Sequence, residues 1–158
     1  MITLYEPLGL DEGHTLLEIG AGSGYTIVIA REIVGLQGRV VCVEIDPETL
    51  KNAKTFIENT GYTDIVLVLG DGYFGYPELS PYDRICITAA CEEIPPPLIE
   101  QLKDGGKLIA PVIKDGVQKI VLLEKAGKGV TRKAIPGLEY DVPYVRMSGQ
   151  HETGKEEK

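Results

Sequence analysis

The chain has 158 residues, 43% hydrophobic and 25% charged, which supports one soluble domain with a sizeable core. Its formal net charge of −8 is a poor match to a polyanion, so nucleic acid is a disfavoured partner. No apolar run reaches the ~18 residues of a membrane span and no leader pattern opens the chain, so the expected location is the cytoplasm, with no membrane partner.

Residues 1 to 14 form a lead-in with Pro7, Gly9 and Gly13, which leaves room for a turn or two of helix. His14 precedes the first strand and belongs at the sheet end opposite any crevice. Leu16-Leu17-Glu18-Ile19 is an apolar run of strand length. It meets Gly20, Gly22 and Gly24 on alternate positions, and a helical pattern follows from Thr26 to Val34. The second strand is Arg39 to Glu44, apolar enough to be buried on both faces. Asp46 is a suitable N-cap and Pro47 a suitable first helical residue for a helix from Pro47 to Asn59, ended by Gly61. Leu50, Ala53, Phe56 and Ile57 are its expected inner face.

The third strand is Asp64 to Leu69, followed by Gly70-Asp71-Gly72-Tyr73. A loop with Pro77, Ser80 and Pro81 leads to the fourth strand, Tyr82 to Thr88. A stiff loop from Cys91 to Pro97 enters a short helix to Leu102, and Gly105-Gly106 breaks to a fifth strand, Lys107 to Val112. Asp115-Gly116 reads as a hairpin turn, with strands at Val117 to Lys125 and Val130 to Ile135. Residues 1–146 form the expected domain. The tail from Met147 is charged, without hydrophobic period, and is expected to be disordered. Cys42 and Cys86 lie in strand-like runs as small core residues, and Cys91 on the rim reads as a bystander thiol.

Strands alternating with helices imply a Rossmann-like α/β fold: a seven-stranded, mostly parallel sheet with an antiparallel edge and helices on both faces. In such sheets ligands bind outside the carboxyl ends of the strands, where strand order reverses. The loops after strands one to four should therefore share one site. A dinucleotide fingerprint would place its third small residue at position 25, which is the bulky Tyr25. Glu18 lies just ahead of the first glycine, where a carboxylate repels a pyrophosphate and attracts a cation. S-adenosylmethionine (SAM) carries an ammonium and a sulfonium and no phosphate, so the turn favours SAM. Glu44, at the end of strand two, suits the ribose hydroxyls. Asp71 suits the adenine amino group, with Gly72 giving the ring close access, or it serves the turn alone.

These residues carry a resemblance. From about Leu8 to Val145 the chain resembles the protein-L-isoaspartate O-methyltransferases. The matching pieces are Leu17 to Tyr25, Gly70 to Tyr76, Pro81 to Ile85, Thr88-Ala89-Ala90 and Ile94 to Leu108. The resemblance implies a SAM-dependent enzyme that esterifies the carboxylate of L-isoaspartyl residues in damaged proteins. It implies a cofactor set of Glu18, Gly20, Ala21, Gly22, Ser23, Gly24, Tyr25, Glu44, Ile45, Gly70, Asp71 and Gly72, with no metal. Thr88 is the candidate to hydrogen-bond the substrate. Family members carry a longer part before the glycine motif, with a Gln-Thr-Ile-Ser-like segment near the reacting carboxylate. Such a segment is not found in this sequence, so the family's active-site hydroxyl is carried onto no residue. Two alternatives stay open: a SAM-binding module without catalysis, and a methyltransferase for a small molecule or RNA. An uncovered crevice would also leave apolar surface for a second subunit.

Overall fold

The structure, a computed structural model, describes residues 4–140. The charged tail expected from Met147 lies outside the described residues. The chain enters through one helical turn, α1 (Tyr5–Leu8), closed by Gly9 in the left-handed conformation. Strand β1 (Thr15–Ile19) runs into helix α2 (Tyr25–Val34), and β2 (Arg39–Glu44) runs into α3 (Pro47–Asn59). Asp46 caps α3 as its residue type dictates, accepting the Thr49 N–H at 2.8 Å, with Pro47 behind it. Strand β3 (Val66–Leu69) starts two residues later than the Asp64 expected from the sequence. The loop beyond it is not irregular throughout: it holds two single 3₁₀ turns, Gly72–Phe74 and Pro77–Leu79.

Then come β4 (Tyr82–Ile87), α4 (Pro96–Glu100), β5 (Leu102–Lys114), β6 (Val117–Ala126) and β7 (Gly129–Tyr140). Strand β5 starts five residues earlier than the glycine pair suggests. Tyr82 pairs with Leu102 and Arg84 with Lys107, so the intervening residues bulge out, Gly105 adopts φ +76°, and pairing resumes beyond them. The glycines interrupt the ladder without ending the strand.

The seven strands lie in the order β3-β2-β1-β4-β5-β6-β7. The first five are parallel, while β6 runs antiparallel to both β5 and β7. Side chains alternate across the sheet as the strand period requires. Leu16, Val40, Cys42, Cys86 and Ile109 join α1, α2 and α3 in one core layer. Leu17, Ile19, Val41, Ile85, Ile87 and Leu108 form the other with Leu98 of α4 and Leu102. Both layers are tight, with Leu16, Leu17, Ile85 and Leu108 fully buried, each contributing ~2 kcal/mol. Helices do cover both faces, but unequally: the second cover is short α4 together with the 3₁₀ turns. On α3, Ala53 and Ile57 are buried, whereas Phe56 is 38% exposed and packs edge-on to Tyr25 at 6.5 Å. The inner face of α3 is thus narrower than expected.

One ion pair orients α2. Arg31, in its last turn, is nearly buried and makes a fork with Asp64: Nε at 3.0 Å to Oδ1 and Nη2 at 2.8 Å to Oδ2. Its guanidinium also lies 5.2 Å from the Tyr62 ring centre. Because α2 begins at the glycine turn, fixing its far end fixes the turn.

Candidate active site

Strand order reverses between β1 and β4, so a crevice opens beyond their carboxyl ends. The predicted loops meet there. Gly20 N–H donates to Val43 O at 2.8 Å, Gly70 N–H to Glu44 O at 2.9 Å, and Thr88 N–H to Ile19 O at 3.0 Å. These bonds continue the sheet ladder for one residue past each strand and bring four loops to one edge. Gly20 to Gly24, Glu44-Ile45, Gly70 to Gly72 and Thr88 all lie on it. His14 lies at the opposite edge, where its carbonyl accepts the Arg39 N–H.

The glycines divide by the space around them. A Cβ on Gly20 would fall 2.3 Å from Thr88 Oγ1, and one on Gly72 would fall 2.2 Å from Ile19 Cγ2. One on Gly24 would meet the Ala53 carbonyl at 3.0 Å, where α2 approaches α3. These three leave no room for a Cβ on the side that packs against the fold. Gly22 differs. It has φ +50°, it is exposed, and a Cβ there would meet nothing within 4 Å. The open side of the turn is therefore at Gly22 and the exposed Ser23, whereas Ala21 is buried. Tyr25 is 52% exposed at the start of α2, so the tight helix approach falls at Gly24 instead of position 25.

Glu44 locks the turn to β2. Its Oε1 accepts the Ala21 N–H at 3.0 Å and its Oε2 the Asp46 N–H at 3.1 Å. A carboxylate offers about four acceptor positions, so two remain for a vicinal diol. Ile45 beside it is 43% exposed, an apolar surface on the crevice edge. Asp71 caps the first 3₁₀ turn: its Oδ1 accepts the Tyr73 N–H at 2.9 Å. The turn-stabilising role is thus present whatever else Asp71 does. Gln101, the C-cap of α4, holds the same segment, accepting the Tyr76 N–H at 2.9 Å and donating to Phe74 O at 2.8 Å.

Two expected roles change. The Thr88 hydroxyl donates to Ile19 O at 2.7 Å, so its one proton is committed to the crevice floor. In this arrangement it positions β1 against β4. Glu18 does not face open solvent at the strand end. It is fully buried, on the α1–α2 side of the sheet, between Cys42 and Cys86 on the flanking strands. Its Oε2 accepts from the Tyr5 hydroxyl and its Oε1 from Thr26 Oγ1 at 3.3 Å. Burial pushes its carboxyl up to about 7, against the lowering effect of those two donors. Cys42 and Cys86 are buried core thiols, as expected. Cys91 is buried too, and burial pushes it up to about 12, so it is an inert thiol.

Tyr5, Thr26 and Gln101 went unnoticed in the sequence. A buried strand carboxylate demands a donor. That rule asks for a hydroxyl near Glu18, but with eight tyrosines in the chain it cannot say which.

The family model described as "Protein-L-isoaspartate(D-aspartate) O-methyltransferase (PCMT)" matches residues 1–151. This chain belongs to that family. It is 41% identical over 146 residues to the protein-L-isoaspartate O-methyltransferase of Methanococcus aeolicus, covering 92% of this chain and 67% of that protein. With protein-L-isoaspartate O-methyltransferase 2 of Archaeoglobus fulgidus it shares 40% identity over 146 residues, covering 92% of this chain and 65% of that protein. A solved protein-L-isoaspartate O-methyltransferase superposes with TM-score 0.84 at 35% identity, covering 92% of this chain and 45% of that one. A Plasmodium falciparum structure titled as a putative protein-L-isoaspartate O-methyltransferase in complex with S-adenosyl-L-homocysteine superposes with TM-score 0.78 at 21% identity, covering 90% of this chain and 70% of that one. The chain thus spans about half to two thirds of the length of the curated relatives it matches. Among the described residues, no helix is long and apolar enough to cross a membrane.

Proposed function

We propose that this chain binds SAM in the β1–β4 crevice and methylates the carboxylate of L-isoaspartyl residues in proteins. The observation that carries the reading is the bond between Ala21 N–H and Glu44 Oε1. It sets an open glycine turn beside a carboxylate with acceptor capacity to spare, in a member of this family. The residues fit the cofactor: Gly22 leaves room for a close approach, and Glu44 has two acceptor positions for a ribose diol. Ile45 offers an apolar surface at the adenine end, and Asp71 holds its loop in place.

When bound, SAM supplies an electrophilic methyl on a sulfonium. The residues of the chain orient the two reactants and exclude water. A carboxylate nucleophile, with an ordinary pKa of ~3.9, is already ionised at neutral pH and needs no general base. That agrees with the placement of His14 at the far edge of the sheet. Three buried thiols suit a reducing compartment, and we place the protein in the cytoplasm.

Calorimetry with SAM tests the cofactor site, with micromolar affinity expected for the wild-type chain and a loss of at least tenfold in Glu44→Ala. Transfer of radiolabelled methyl to an isoaspartyl peptide tests the reaction. Base-labile label confirms an ester. Label stable to base overturns carboxylate methylation, and binding without transfer selects the binding-module alternative.

A further inference from the structure

Glu18 is a carboxylate with no exposure to water and, among the described residues, no cation paired with it. Every group facing it is neutral. Cys42 on β2 and Cys86 on β4 flank it, and burial holds both thiols well above their ordinary range. From α2 comes the Thr26 hydroxyl, and from α1 comes Tyr5, whose phenol is likewise held neutral by burial. Tyr5 is 3% exposed. Its hydroxyl contacts two acceptors at once, Glu18 Oε2 and the Thr26 carbonyl at 3.0 Å. Those acceptors belong to β1, before the glycine turn, and to the first turn of α2, after it.

We propose that Tyr5 is a positioning residue of the cofactor site, its hydroxyl group lying between the two sides of the glycine turn and letting the segment ahead of β1 set the charge beneath that turn. With Glu18 ionised, Tyr5 donates to it, and a negative charge lies under the place where a cationic ligand binds. With Glu18 protonated, the carboxyl donates to the Tyr5 oxygen, Tyr5 donates to the Thr26 carbonyl, and the charge is gone. The proton that neutralises Glu18 is taken up from water, and it returns to water when Glu18 ionises. Because Glu18 titrates near 7, the switch falls in the neutral range. The inference rests on the SAM reading given above.

The test uses the full chain. Tyr5→Phe removes the hydroxyl and keeps the ring. SAM affinity is measured by calorimetry from about pH 6 to about pH 9 for wild type, Tyr5→Phe and Glu18→Gln. Wild-type affinity should rise with pH through a midpoint of about 7. Loss of a hydrogen bond to a charged group moves that midpoint up by about one pH unit in Tyr5→Phe. Affinity at neutral pH then falls about fivefold and is regained in alkali. Glu18→Gln should give a flat profile. A Tyr5→Phe profile that superposes on wild type, or lies below it by the same factor at every pH, overturns the proposal.

Infrared spectroscopy of the unliganded chain separates this proposal from the cofactor reading. The protonated-carboxyl band that disappears in Glu18→Gln should persist to higher pH in Tyr5→Phe than in wild type. If wild type binds no SAM, the cofactor reading fails, and the infrared titration still decides whether Tyr5 controls Glu18. Should Tyr5→Phe not fold, Thr26→Val removes the other donor and must raise the same midpoint. An unmoved midpoint there overturns the proposal.

Discussion

Replacing Glu18 by glutamine should stabilise this protein at alkaline pH while leaving it nearly unchanged in mild acid. Burial raises the carboxyl from its ordinary 4.5 to about 7. Below the ordinary value the group is neutral in both folded and unfolded chains, and its stability contribution is fully present. Between the two values the unfolded chain releases the proton and the folded chain keeps it. Stability therefore falls as pH rises, until the folded carboxyl ionises as well. The full span corresponds to about 3 kcal/mol, of which about 2–3 kcal/mol falls between roughly pH 5 and pH 8. Glu18→Gln abolishes that slope. The amide is nearly the same shape, its oxygen can accept from Thr26, and its nitrogen can donate to Tyr5. Any fixed cost of rearranged hydrogen bonds cancels when the two pH values are compared. Urea unfolding of wild type and variant at both pH values, with equal denaturant slopes, gives the difference directly. A wild-type-to-variant difference that is the same at both values would mean that Glu18 ionises like an exposed carboxylate, and would refute the burial argument. The same substitution should weaken SAM binding, so the position trades stability for a charge beneath the turn.

Gly22→Ala should cost only about 1 kcal/mol, because its methyl meets nothing, yet weaken SAM binding tenfold or more by filling the open side of the turn. Gly20→Ala should cost about 2–4 kcal/mol, since its methyl displaces the Thr88 hydroxyl from Ile19 O. Thermal melts and calorimetry on both variants check this, and normal binding by Gly22→Ala would refute the assignment of the open side. Arg31→Met should lose about 2–3 kcal/mol with the Asp64 fork. Asp64 is held below its ordinary value chiefly by its hydrogen bond to Arg31. That contribution is therefore present above the ordinary carboxylate range and lost as pH falls through the depressed value, so the Arg31→Met deficit should shrink in acid denaturation curves. Gln101→Leu should leave the Tyr76 N–H and Phe74 carbonyl without their partner. Amides of residues 72–79 should then exchange faster by mass spectrometry while those of β1 and β2 do not.

The amino-acid sequence by itself determined the strand and helix succession through α3, because period, N-cap and proline all act within a few residues. Strand β2 and helix α3 have the bounds their patterns indicate. It also determined which loops form the crevice, since a parallel sheet turns all its carboxyl ends to one edge. The tertiary structure decided what each small or polar residue there does. Gly20, Gly24 and Gly72 answer to neighbours far along the chain, Thr88, Ala53 and Ile19, which no local pattern reveals. Side chains alternate across a strand, yet only the packed layers show that the Glu18 side is covered by α1 and α2. That placement buries the carboxylate ahead of the first glycine and hydrogen-bonds it to Tyr5. Local chemistry sets where the backbone goes, whereas burial is a property of everything packed around a residue, and burial sets charge.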